Sequence, residues 1–178
     1  TANGTNVTFG GAIYATVKVN INNTNFTNNI ATGDNISSGG AVYSNDITSN
    51  NSEFINNTAQ TGGAIYSINT VNTTGDKFIG NNATSGSGGA IYSSAGAVST
   101  DNVNFINNTA NTTGGAVYAN NIINLTNSNF TNNKVNGASG TAGGAVFSND
   151  QVIADNIKFI NNTAINGLGG AIYANSTV

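Results

Sequence analysis

The chain has 178 residues, of which four are Lys and seven are Asp or Glu, giving a net charge of −3. It contains no Arg, His, Cys, Met, Trp or Pro. These absences exclude zinc sites built on thiolate or imidazole, disulfide staples, thiol and imidazole catalysis, and a basic footprint for nucleic acid. Asparagine and glycine dominate instead, and the apolar runs are too short to cross a bilayer.

Taken in chain order, the sequence is one motif repeated. The string Gly-Gly-Ala-(Ile/Val)-(Tyr/Phe)-(Ala/Ser) starts at Gly10, Gly39, Gly62, Gly88, Gly114, Gly143 and Gly169. Between successive copies stands Phe-x-x-Asn, at Phe26, Phe54, Phe78, Phe105, Phe130 and Phe159. An Ile or Val lies seven positions before each of these six Phe: Val19, Ile47, Val71, Val98, Ile123 and Val152. The stretch from the glycines to the next Phe is nearly constant, as from Gly10 to Phe26, Gly39 to Phe54 and Gly62 to Phe78. The stretch from Phe to the next glycines varies, from the short Phe54-to-Gly62 arc to the long Phe26-to-Gly39 and Phe130-to-Gly143 arcs. One arc of each repeat is therefore nearly fixed in length, and the other carries a loop. Segments 30–38 and 134–142, rich in Gly, Ser, Thr and Asn, are the longest of these loops.

Each repeat holds short β-type runs and no sustained helical period, and Asn, Gly and Thr are poor helix formers. A repeat of about 26 residues buries too little on its own, but stacked copies bury a continuous core and supply each other's hydrogen-bond partners. The expected fold is all-β: a right-handed parallel β-helix, a solenoid of six to seven coils of roughly 26 residues, forming one segment over 1–178. Strands of successive coils would lie about 4.8 Å apart. Equivalent residues should then form columns. Phe, the Ile/Val position and the Ala or Val five positions after Phe should face inward. The Asn three before Phe and the Asn three after it should occupy coil corners, where left-handed backbone and amide ladders suit Asn. Gly75, which replaces Asn in the first of these columns, fits a demand for positive φ.

The alternation within Gly-Gly-Ala-Ile-Tyr leaves two orientations. With Ile or Val inward, Tyr14, Tyr43, Tyr66, Tyr92, Tyr118, Phe147 and Tyr173 form an exterior stripe, a candidate contact surface whose ring faces and hydroxyls could meet sugars or neighbouring fibres. With the reverse orientation they belong to the core.

The paired motifs, with "FINNTA" and "GGAIY" as their clearest forms, resemble two groups of surface proteins. They resemble the repeats of chlamydial polymorphic outer-membrane proteins, and they are similar to Asn/Thr-rich adhesin-like surface proteins of methanogenic archaea. The resemblance covers essentially the whole chain. It implies an extended β-helix displayed at the cell surface, with a structural or adhesive role. The chlamydial proteins also carry many Cys and a C-terminal membrane barrel, neither of which occurs in this sequence.

The chain starts and stops inside a repeat, so further repeats or neighbouring copies are expected partners, with cell-surface glycans as another. No nucleic acid, membrane insertion, cofactor or metal is expected, and no catalytic residue is assigned. A carbohydrate-active β-helix enzyme is the alternative reading, and a self-assembling filament is a third. For the enzyme, the paired carboxylates would be Asp101 and Asp155, in one column two coils apart; no Arg or His stands by to assist them. Fifteen N-x-S/T sequons occur, of which Asn35 and Asn111, in loops, are the candidate glycosylation sites. Glu53 and Lys77, each one before Phe in adjacent coils, should form an exposed pair.

Overall fold

The computed structural model describes residues 1–178. Every strand pair in it is parallel, and no helix is present. The chain winds into a β-solenoid with four recurring strands per coil, stacked into long sheets. The tyrosine sheet has seven strands, from Ile13–Tyr14 to Ile172–Ala174. The valine sheet has six, from Lys18–Asn22 to Val152–Asp155, and so has the phenylalanine sheet, from Asn25–Thr27 to Lys158–Ile160. The alanine sheet runs from Thr58–Ala59 to Thr163–Ala164, and an Ile30–Thr58 bridge joins it to the Ala2–Gly4 and Ala31–Gly33 pair.

Vertical registry is maintained in every column named from the sequence. Phe26, Phe54, Phe78, Phe105, Phe130 and Phe159 are partners in turn. Their rings stack at centroid distances of 4.6 to 5.1 Å. Phe54, Phe78, Phe105 and Phe130 are wholly buried, as are Ile47, Val71, Val98, Ile123 and Val152 from the valine sheet. The alanine column closes the core with Ala59, Ala83, Ala110 and Val135. These buried surfaces come from different coils, so burial itself enforces the stacking: a slip of one position would turn each column to solvent.

The two glycines of each motif do different work. The first takes φ of 61° to 67°, where the strand turns a corner. The second has no room for a side chain: a Cβ on Gly63 would strike the carbonyl of Gly89 and the backbone of Asn82. Both reasons for small residues in this strand, a bend and a close approach, therefore hold at neighbouring positions.

The corners confirm one Asn column as left-handed and correct the other. Three before Phe, Asn23, Asn51, Gly75, Asn102, Asn127 and Asn156 all have positive φ, with Gly75 in its expected place. After Phe the left-handed residue is two positions on, at Asn28, Asn56, Gly80, Asn107, Asn132 and Asn161. The third position forms the ladder. Asn57 donates its backbone N–H and its side-chain amide to Oδ1 of Asn81 at 3.0 Å each, and its amide also reaches the carbonyl of Phe26. Asn81, Asn108 and Asn133 repeat the pattern, and these amides are fully buried. Each thus ties together three coils, and it leaves no corner donor unpaired, which in a buried site would cost about 1–3 kcal/mol.

A second, shorter ladder lies at the corner before Phe. The Thr24 N–H donates to Ser52 Oγ, the Ser52 N–H to Asp76 Oδ1 at 2.7 Å, and the Val103 N–H to Ser128 Oγ. Asp76 is fully buried, its Oδ2 has no partner, and nor has the buried Ser49 Oγ. Burial pushes the Asp76 carboxyl up to about 6, against the opposing hydrogen bond from the Ser52 N–H and the weaker pull of the Ser49 hydroxyl, which lies near the carboxylate without reaching hydrogen-bond geometry.

Candidate functional site

Orientation of the tyrosine sheet decides what the solenoid shows to its surroundings. Val42, Ile65, Ile91, Val117 and Val146 are wholly buried, so the aromatic residue that follows each of them faces out. Tyr14 is 55% exposed, Tyr43, Tyr66, Tyr92, Tyr118 and Tyr173 are partly exposed, and Phe147 is nearly covered at 9%. The seven residues line up coil by coil. Six ladder steps give the stripe a length of about 29 Å.

The rings do not present their faces, in contrast to the expectation from sequence. They stack on one another at centroid distances of 4.5 to 5.5 Å, with interplanar angles of 3° to 21°. A strand spacing of about 4.8 Å falls within the centroid separation of offset-stacked rings, about 4.5–7 Å, which makes this the low-energy arrangement. Within the stripe each face is therefore partly covered by its neighbours, and ring edges and phenol hydroxyls point outward. Burial pushes the Tyr43, Tyr92 and Tyr118 hydroxyls up, and adjacent phenols reinforce the shift at Tyr43 and Tyr92, so these three hydroxyls stay protonated and able to donate hydrogen bonds.

Beside the stripe runs an exterior Asn ladder that the motif spacing did not reveal. Asn175 donates to Asn149 Oδ1 at 3.0 Å, and Asn149 donates to Asn120 Oδ1 and to the Tyr118 hydroxyl at 2.9 Å. The Tyr118 hydroxyl in turn donates to Asn120 at 2.6 Å. The signal available in the sequence was Asn at a fixed offset, two positions after Tyr118, Phe147 and Tyr173.

On the other side of the stripe lie the loops of variable length. The arc from Phe to the next glycines is longest in the coils of Phe26 and Phe130 and shorter in those of Phe54, Phe78, Phe105 and Phe159. The sequons Asn35 and Asn111 stand in this arc and both are exposed. The sequon residues Asn56, Asn107 and Asn161 are exposed left-handed corner residues; the ladder belongs to Asn57, Asn108 and Asn162.

The charged residues form no cluster of three or more potential metal ligands. Asp101 and Asp155 are partners of the same Thr126, on its two sides, so two ladder steps of about 4.8 Å separate their backbones. Glu53 and Lys77 form the expected pair at 2.8 Å, partly exposed to solvent, an interaction worth about 0.2–1 kcal/mol.

Four segments, 51–68, 77–94, 102–120 and 156–175, match the family model of the Chlamydia polymorphic membrane protein repeat. Each begins at the corner before Phe or at the Phe strand, passes through the Asn ladder, and ends just after the tyrosine strand. The unmatched coils are those of Phe26 and Phe130, which carry the longest arcs between Phe and the glycines. No curated protein and no solved structure matches the chain.

Proposed function

We propose that this chain is a stretch of a cell-surface repeat scaffold with an adhesin-like role, in which a rigid solenoid holds the tyrosine rail and its flanking loops away from the cell. The observation that carries this reading is the unbroken seven-member exterior aromatic column on a scaffold whose repeats match the chlamydial membrane-protein repeat model. Its mechanism is presentational. Asn and Phe columns supply stiffness without metals or disulfides, and the rail supplies edges, hydroxyls and amides at one spacing per coil.

Contacts made by this surface use mainly ring edges and hydrogen bonds, because offset stacking leaves only part of each ring face open. Hydroxyl- and amide-rich partners, such as cell-surface glycans or a neighbouring copy, fit that chemistry. The near absence of charge removes the repulsion that would keep neighbouring copies apart. Glycans on Asn35 or Asn111 would decorate the loop side and leave the rail open. The sequence has no His or Arg to assist Asp101 and Asp155, whose backbones lie two ladder steps, about 10 Å, apart, and this favours the scaffold reading over a carbohydrate-active enzyme.

The test is adhesion or bundling of beads carrying the chain, compared with Tyr66→Ser, Tyr92→Ser and Tyr118→Ser combined. The expected result is loss of adhesion with the β-sheet circular dichroism retained. Unchanged adhesion in a folded triple variant would contradict the proposal.

A further inference from the structure

The residue just before each glycine pair forms a column of its own next to the stripe: Phe9, Ser38, Thr61, Ser87, Thr113, Ala142 and Leu168. Phe9 is the partner of Ser38, Ser38 bridges to Thr61, Thr113 to Ala142, and Ala142 is the partner of Leu168. At its first position this column shows what fits beside the stripe. The Phe9 ring lies 5.9 Å from the Tyr14 ring and 4.3 Å from the Tyr43 ring, at 12° and 27° to them. It stacks on the aromatic residue of its own coil and on that of the next.

Moving along the column, the same place is closed in the middle coils by small hydroxyl residues. Ser87 Oγ hydrogen-bonds Thr113 Oγ1 at 2.6 Å and Thr112 Oγ1 at 2.7 Å. At Ala142 the hydroxyl is missing and the place is vacant. A recess of about 420 Å³ opens there, within the size range of small-ligand sites, about 300–1,000 Å³. Its lining includes Ala142, Phe147 and Tyr173, the counterparts of Phe9, Tyr14 and Tyr43. Leu168 forms an apolar wall. Phe147 stands where the other coils carry a Tyr, so the lining has one hydroxyl fewer there. No charged residue lines the recess.

We propose that this recess binds the aromatic side chain, Phe or Tyr, of a partner polypeptide, which takes up against Phe147 and Tyr173 the position that Phe9 holds against Tyr14 and Tyr43. The apolar floor and wall accept the ring, the lack of charge selects a neutral side chain, and the exposed Asn166 and Asn175 offer hydrogen bonds to the peptide groups on either side of it. The inference deepens the reading of this face as a contact surface and rests on it.

The experiment titrates the isotopically labelled chain with N-acetyltyrosinamide, and with N-acetylleucinamide as the non-aromatic control, following backbone amide shifts. The expected shifts centre on Ala142, Phe147, Leu168 and Tyr173, with the aromatic probe binding at least about threefold more tightly, as ring stacking implies. Ala142→Phe should place a ring in the recess, move the Tyr173 ring protons and abolish the titration. Leu168→Ser, which leaves the interior columns untouched, should weaken binding about threefold. Equal binding of the two probes, shifts centred elsewhere, or full binding to a folded Ala142→Phe variant would overturn the proposal. A double Tyr66→Ser, Tyr92→Ser variant changes no ring stacked on Phe147 or Tyr173 and should bind the probe normally. If the probe fails to bind while the triple Tyr→Ser variant loses adhesion, the recess inference falls and the contact-surface reading survives; the reverse pattern separates them the other way.

Discussion

Two aromatic columns run the length of this solenoid with nearly the same spacing, and they have opposite fates. The Phe column is sealed between the valine and alanine sheets, with ring distances of 4.6 to 5.1 Å and four rings wholly buried. The Tyr column stacks at 4.5 to 5.5 Å on the outside, with its edges in solvent. The difference shows that stacking in a solenoid follows from coil spacing alone, whereas burial decides which column holds the fold and which is free to make contacts. Substitutions at equivalent heights in the two columns should therefore separate stability from surface function.

The largest effect is expected inside. Phe78→Ala removes a ring stacked on both sides and should cost about 3–5 kcal/mol, read as a lowered denaturation midpoint. Asn81→Ala should come next, at about 3 kcal/mol by the same measurement. It strands the Asn57 N–H and side-chain amide without their acceptor and the Phe54 carbonyl without its donor, all away from water.

Asp76 gives an effect that depends on pH. Its folded-state pKa of about 6 lies above the ordinary 3.8, so the folded chain holds a proton that the unfolded chain releases. The stability from that proton is complete below about pH 4 and is lost as pH rises through about 6. Asp76→Asn should flatten this dependence and stabilise the chain above pH 7 by on the order of 2 kcal/mol, measured by denaturation across that range. The smallest effect is expected on the outer column. Tyr92→Ser should cost about 1 kcal/mol, because it removes stacking contacts but opens no closed cavity. A loss at Tyr92 as large as that at Phe78 would erase the distinction between the columns.

Much of this architecture was legible in the sequence because periodicity in a solenoid converts directly into contact. Phe, Ile/Val and Ala recur at fixed offsets, and every one of those columns is in register. The corner chemistry was only half legible. Gly75 marked the left-handed position before Phe, and Gly80 marks the one after it in the same coil; the Asn-Asn doublets concealed which member turns and which ladders. Asp76 was hidden because its column mixes Thr24, Ser52, Asp76, Val103 and Ser128, and only three dimensions show that a hydroxyl or carboxylate there accepts an N–H from the coil before. The exposure of ring edges instead of faces was likewise out of reach, since sequence gives the order of residues in a column and not the tilt of their rings. Phe9 stood outside both aromatic motifs, so its place beside the stripe had no repeat to announce it.

The claim on which the rest depends is vertical registry, and nuclear Overhauser contacts between aromatic rings test it most directly. The account predicts contacts from the Phe78 ring to both Phe54 and Phe105, and from the Tyr92 ring to both Tyr66 and Tyr118. Contacts of Phe78 with residues of its own coil only, and none to Phe54 or Phe105, would contradict the stacked solenoid and the surface assigned to it.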